Sequence, residues 1–133
     1  MKGIGIKETA FTGYPATDIE RTRTFYRDTL GLTEGAVFDH DGAVGWVEFT
    51  TPDGHTLAIA QANEQWQPNA NGGGICFEVE DLDAAMAHLS AEGVTIAMPI
   101  QDFPICRMAL IADPDGNTVA LHQKKSNHPE CAH

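Results

Sequence analysis

The segment TPDGHTLAIAQ at residues 51–61 returns as DPDGNTVALHQ at 113–123, and TDIE at 17–20 returns as EDLD at 80–83. A chain that repeats itself over such spans consists of two copies of one supersecondary unit, and both fold and pocket follow from that duplication. The repeat offset is 62 residues for the first pair and 63 for the second, so the second copy has lost one residue inside its helix.

Read along the chain, the first unit opens with a strand near 8–14, closed by Pro15, which lacks a backbone donor. Thr17 followed by Glu20 has the form of a capping box. Ile19, Thr22, Phe25, Tyr26 and Leu30 then share a helix face, and Gly31 ends the helix. Three strand-like stretches follow, near 34–39, 43–50 and 55–62, separated by Asp41-Gly42 and Pro52-Asp53-Gly54. The unit is βαβββ. After a linker rich in Asn, Gln and Gly at 63–73 the order repeats: a strand at 74–80, a helix from Asp81 to a stop at Gly93, and strands near 94–100, 105–112 and 118–123. The expected domain is residues 1–124, with module one at about 6–62 and module two at about 74–124, and residues 125–133 form a tail.

Composition narrows the function. Of 133 residues 42% are hydrophobic, enough for a core without disulfide staples, and no run of about 18 apolar residues could span a membrane. The odd set Cys76, Cys106 and Cys131, without CxxC spacing, fits a reducing cytoplasm, with Cys76 and Cys106 as small apolar strand residues. With 19 acids against 8 bases the net charge of -11 repels a phosphate backbone, so nucleic acid is excluded as a partner. No GxxxxGK[ST], GxGxxG or GxSxG motif supports nucleotide or nucleophilic-serine chemistry.

With Asp18, Phe25-Tyr26, Leu30-Gly31-Leu32 and the two PDG turns in place, residues 6–124 resemble the vicinal oxygen chelate superfamily, which includes glyoxalase I, bleomycin-resistance proteins, extradiol dioxygenases and fosfomycin-resistance enzymes. The resemblance implies an α+β fold of two tandem βαβββ modules, whose mixed sheet curls around a shared cavity, usually in a homodimer. In metal-using relatives the ligands stand seven residues before the helix-starting Asp and four after the Gly of each PDG turn. Here those positions hold Phe11, Ala58, Gly74 and Ala120, none of which carries a donor, so no metal and no cofactor is expected.

Strand alternation sorts the remaining residues. Ile75, Phe77, Val79, Leu57, Ile59, Val119, Leu121, Val47 and Phe49 belong to the helix side; Gly74, Cys76, Glu78, Ala58, Ala60, Ala120, His122, Trp46 and Glu48 belong to the cavity side, with Met108 and Leu110 as second-module counterparts. Glu48, Glu78 and His122 form the candidate catalytic set, as acid and base or as a relocated metal site. Phe11, Trp46, Ala58, Gly74, Cys76, Met108 and Ala120 form a candidate ligand wall, and Arg107 offers either a contact to a ligand carboxylate or a surface salt bridge. His40, His55 and His88 read as solvated; His128, Cys131 and His133 could capture zinc adventitiously.

Three function classes remain on the sequence. One is a metal-independent, cytoplasmic, homodimeric protein that binds or sequesters a small molecule, with a cation among the candidates. Another is a lyase or isomerase using His122 and a glutamate, or a metal enzyme with displaced ligands. A structural or partner-binding module is the third alternative.

Overall fold

The computed structural model describes residues 3, 5 and 8–125. Its elements run β1 (Thr12–Ala16), α1 (Ile19–Thr24), a π-helical turn (Phe25–Thr29), β2 (Thr33–His40), β3 (Ala43–Thr50), β4 (Thr56–Gln61), β5 (Cys76–Glu78), α2 (Leu82–Ala91), β6 (Ile96–Asp102), β7 (Cys106–Ala112) and β8 (Thr118–Lys124). Each module supplies one four-stranded mixed sheet, in the orders β1-β4-β3-β2 and β5-β8-β7-β6. The first strand of each sheet runs parallel to the last, and the other neighbours are antiparallel.

Two local readings need correction. Pro15 lies inside β1, opposite Ala60, because β1 is the outer strand of its sheet and needs no donor on its free side. Asp18, not Thr17, caps α1, accepting from the Arg21 N–H at 3.2 Å. The hydroxyl of Thr17 instead reaches Asp115 of module two at 2.6 Å.

The residue that distinguishes the two helices takes the form of the π-helical turn, where Leu30 N–H bonds Phe25 C=O at 2.9 Å. A π-turn is the usual way a helix accommodates one extra residue without losing its register on either side. It keeps Phe25 and Tyr26 buried with Ile19 and Thr22. Module two, one residue shorter, continues as plain α-helix, capped by Asp81 and ended at Gly93, whose φ of 80° suits glycine.

The core lies between sheets and helices. Val47, Phe49, Leu57, Ile59, Ile111, Val119, Tyr26 and Leu82 have no exposed surface, and at roughly 25 cal/mol per Å² such side chains supply most of the drive to fold. Tyr14 and Tyr26 stack with ring centres 6.2 Å apart in the same core.

Candidate functional site

Strand register settles which side chains share a face. Gly13, Ala58 and Glu48 stand in one lateral row of the first sheet, and Pro15, Ala60, Trp46 and Phe38 stand in the next row on the same face. In the second sheet Cys76, Ala120 and Leu110 form one row, and Glu78, His122 and Met108 another. The cavity-facing sets expected from alternation therefore assemble as rows, because no bulge interrupts β3 against β4 or β7 against β8.

On the first sheet the rings of Phe11 and Trp46 meet edge to face, with centres 5.2 Å apart. A Cβ on Gly13 would touch both Phe11 and Trp66, at 3.4 and 3.5 Å, so two aromatic rings close over this glycine, with Trp46 against the first of them. Trp66 belongs to the connecting segment, where a bridge to Asn63 fixes it, and nothing in the periodicity there singles it out. Trp46 donates its indole N–H to the Glu48 carboxylate at 2.9 Å, and Phe11 remains 46% exposed.

On the second sheet Glu78 and His122 meet at 2.5 Å between Oε1 and Nδ1, and Lys124 N–H donates to the other Glu78 oxygen at 2.8 Å. Burial pushes the Glu78 carboxyl up, but the Lys124 N–H and the His122 ring outweigh it and hold it below its ordinary value. Glu48 sits on the other sheet with its own partner, so the expected trio resolves into a Glu78–His122 pair and a Trp46–Glu48 pair.

Of the two roles open to Arg107, the structure shows the surface salt bridge, and the predicted wall residue Gly74 is placed elsewhere. Arg107 shares the face of buried Ala109 and Ile111, opposite Met108, and forks onto Asp83 of α2 at 2.9 and 3.0 Å. Gly74 precedes β5, and a Cβ there would run into the Tyr14 hydroxyl and the Thr118 carbonyl. Those two groups are hydrogen-bonded to each other at 2.8 Å, and the Tyr14 hydroxyl also accepts the Ile75 N–H at 2.6 Å. A ligating side chain at position 74 would have to displace this inter-module contact.

The donor set does not fit the metal of the oxygen chelate enzymes. Phe11, Ala58 and Ala120 offer only hydrocarbon, the fourth position is blocked, and among the described residues no three His, Cys, Asp or Glu gather as a metal site would need.

A cleft of about 760 Å³ opens elsewhere, between module one and α2. Its walls are Leu30, Leu32, Ile75, Phe77, Val79, Ala85, Leu89 and Leu121, with Thr51, Asp53, His55 and His88 among its polar members. Of the sequence-predicted site residues only Cys76 and Glu78 border it.

Comparison with known proteins decides the family. Residues 8–121 match the model of the Glyoxalase/Bleomycin resistance protein/Dioxygenase superfamily. The chain belongs to that superfamily. The uncharacterized protein YaeR of Escherichia coli (strain K12) is 25% identical over 91% of this chain and 99% of its own length. Among solved structures, TnmS3, an antibiotic binding protein from Streptomyces sp. CB03234, shares the fold with a TM-score of 0.76 at 24% identity, over 92% of this chain and all of that one. A lactoylglutathione lyase from Agrobacterium tumefaciens shares it at 0.67 and 22% identity, over 90% of this chain and 95% of that one. Superfamily members with unlike activities thus superpose on this chain, and the side chains must separate the readings.

Proposed function

We propose that the chain is a metal-independent small-molecule-binding protein that holds or sequesters a flat, cationic ligand on the concave sheet faces, acting in the cytoplasm as a homodimer. The observation that carries this reading is the aromatic cluster of Phe11 with Trp46 and, beside Gly13, Trp66, in which Phe11 stands at a position where metal-using relatives present a ligand. Rings in edge-to-face contact offer open faces to a flat molecule, and Glu48, held beside Trp46, supplies negative charge next to them. The net charge of -11 favours the approach of a cation, and TnmS3 gives a precedent for ligand binding on this fold. Exposed Phe38 on the outer strand β2, 57% accessible, supports burial against a second copy.

The test is a thermal-shift screen of untagged protein with cationic aromatic antibiotics, small amines and thioesters, because a ligand that binds only the folded chain raises its melting point. A hit whose shift disappears in Trp46→Ala supports the reading. Hits that are indifferent to Trp46 and Glu48 would move the site away from this wall.

A second reading rests on the 2.5 Å contact of Glu78 with His122, which is the geometry of a histidine oriented by a carboxylate for general acid–base work. Turnover of a screened thioester that is lost in His122→Ala would favour it.

A further inference from the structure

The duplication allows each seam between the modules to be compared with its twin. Across the first seam, module one grips the 113–117 turn of module two. Tyr26 donates to Asp113 at 2.9 Å, and Asn117 donates to the Pro15 carbonyl at 3.0 Å. Asp115 accepts from the Thr17 N–H at 2.7 Å, from the Thr17 and Thr22 hydroxyls, and from Arg21 at 3.2 Å. The Asp115 side chain is left with no exposed surface.

At the second seam the repeat keeps this aspartate and changes its partners. Ala85 and Leu89 stand where Thr22 and Tyr26 stood, Ala84 replaces Arg21 and Glu80 replaces Thr17, while Thr51 and His55 replace Asp113 and Asn117 around Asp53, the counterpart of Asp115. Asp53 accepts the Thr51 hydroxyl of its own turn, and among the described residues no hydrogen bond reaches it from α2 or β5. His55 turns to the Thr12 hydroxyl at 2.8 Å instead of toward module two. Where a phenol and hydroxyls bridge the first seam, the second opens into the cleft of about 760 Å³, with a further wall from Thr29–Leu32 at the end of the π-helical turn.

We propose that this second seam is a binding site for a small molecule with an apolar, ring-bearing body and a protonated amine, the amine pairing with Asp53 as Arg21 and the threonine hydroxyls pair with Asp115. Size and lining agree: the cleft lies within the range of drug-sized pockets, and Leu32, Phe77, Val79 and Leu89 would take the rings. The Thr51 hydroxyl holds the Asp53 carboxyl below its ordinary value, so it is ionised at neutral pH. The site lies on the helix side, across the sheets from the aromatic wall, and its occupancy is independent of the function proposed above.

The test is amide NMR of the full chain titrated with 1-naphthylmethylamine, with 1-naphthalenemethanol as the uncharged isostere. Perturbations are expected to cluster at Leu32, Asp53, Phe77 and Leu89. Asp53→Asn should weaken the amine at least about tenfold while sparing the alcohol, and Ala85→Trp, which fills the cleft, should abolish both. Perturbations confined to Trp46, Glu48 and Met108 would overturn this inference and leave the concave-face reading intact. An amine affinity unchanged in Asp53→Asn, or no binding at millimolar probe, would also overturn it.

Discussion

Replacing Asp115 by alanine should cost far more than the same change at Asp53, although the two residues occupy equivalent turns of the repeat. The Asp115 side chain is covered and accepts from Thr17, Thr22 and Arg21; its removal strands the Thr22 hydroxyl, which has no exposed surface, and the Thr17 N–H. Hydrogen bonds to a charged acceptor contribute about 1.5–3 kcal/mol each, but they do not add, and water can recover Thr17 and the half-exposed Arg21. A loss of about 3 kcal/mol is expected, which in a chain of this length lowers the melting point by roughly 10 °C. Urea and thermal unfolding of both alanine variants measure it, with Asp53→Ala unfolding within scatter of the parent. The acid limb supplies a second readout. Burial raises the Asp115 carboxyl, yet the Thr17 and Thr22 hydroxyls, the Thr17 N–H and Arg21 bring it below its ordinary value of 3.8. Its contribution is therefore complete above that pH and is lost as pH falls through the depressed value, so Asp115→Ala should flatten the acid limb. An Asp115 variant within about 1 kcal/mol of the parent, or an Asp53 variant equally damaged, would refute the asymmetry between the seams.

Other outcomes follow from the same contacts. Tyr26→Phe leaves a buried Asp113 oxygen with Asn117 alone and should cost about 1.5–3 kcal/mol in urea unfolding. Burial raises the Asp113 carboxyl while the Asn117 and Tyr26 bonds oppose it, so stability from this group falls as pH rises above 3.8. The gap between parent and Tyr26→Phe should accordingly widen from acid toward neutral pH, and a gap of constant size would contradict the pairing. His122→Ala removes one of the groups that depress the Glu78 carboxyl, so its pKa, read from carboxyl ¹³C shifts, should rise. An unmoved Glu78 would show that the 2.5 Å contact does not persist in solution.

Much of this architecture was legible because strands write burial with a period of two. Val47 and Phe49, Leu57 and Ile59, Val119 and Leu121 are uniformly apolar along one row, and the register confirms each. The one-residue mismatch between the helices was also visible, but not its form as a π-helical turn, since periodicity registers an added residue without saying how backbone hydrogen bonds absorb it. The seams were hidden. Tyr26 and Thr22 read as members of a buried helix face, whereas their partners Asp113 and Asp115 lie some ninety residues away in a turn that looks solvated. Trp66 was hidden for the same reason: a bridge to Asn63 holds it over Gly13, in a stretch whose composition signals only a loop. Arg107 forms the surface salt bridge open to it on the sequence, but which carboxylate it meets, Asp83 on α2, follows from its row on β7 and was not legible.

The most direct test of metal-independent binding is a tryptophan-emission titration of untagged protein with the strongest hit of the ligand screen, first in excess EDTA and then with zinc, nickel or manganese restored. Trp46 and Trp66 report on the aromatic wall itself. The account predicts one and the same affinity in all four conditions; binding that vanishes with the chelator and returns with a metal would contradict it.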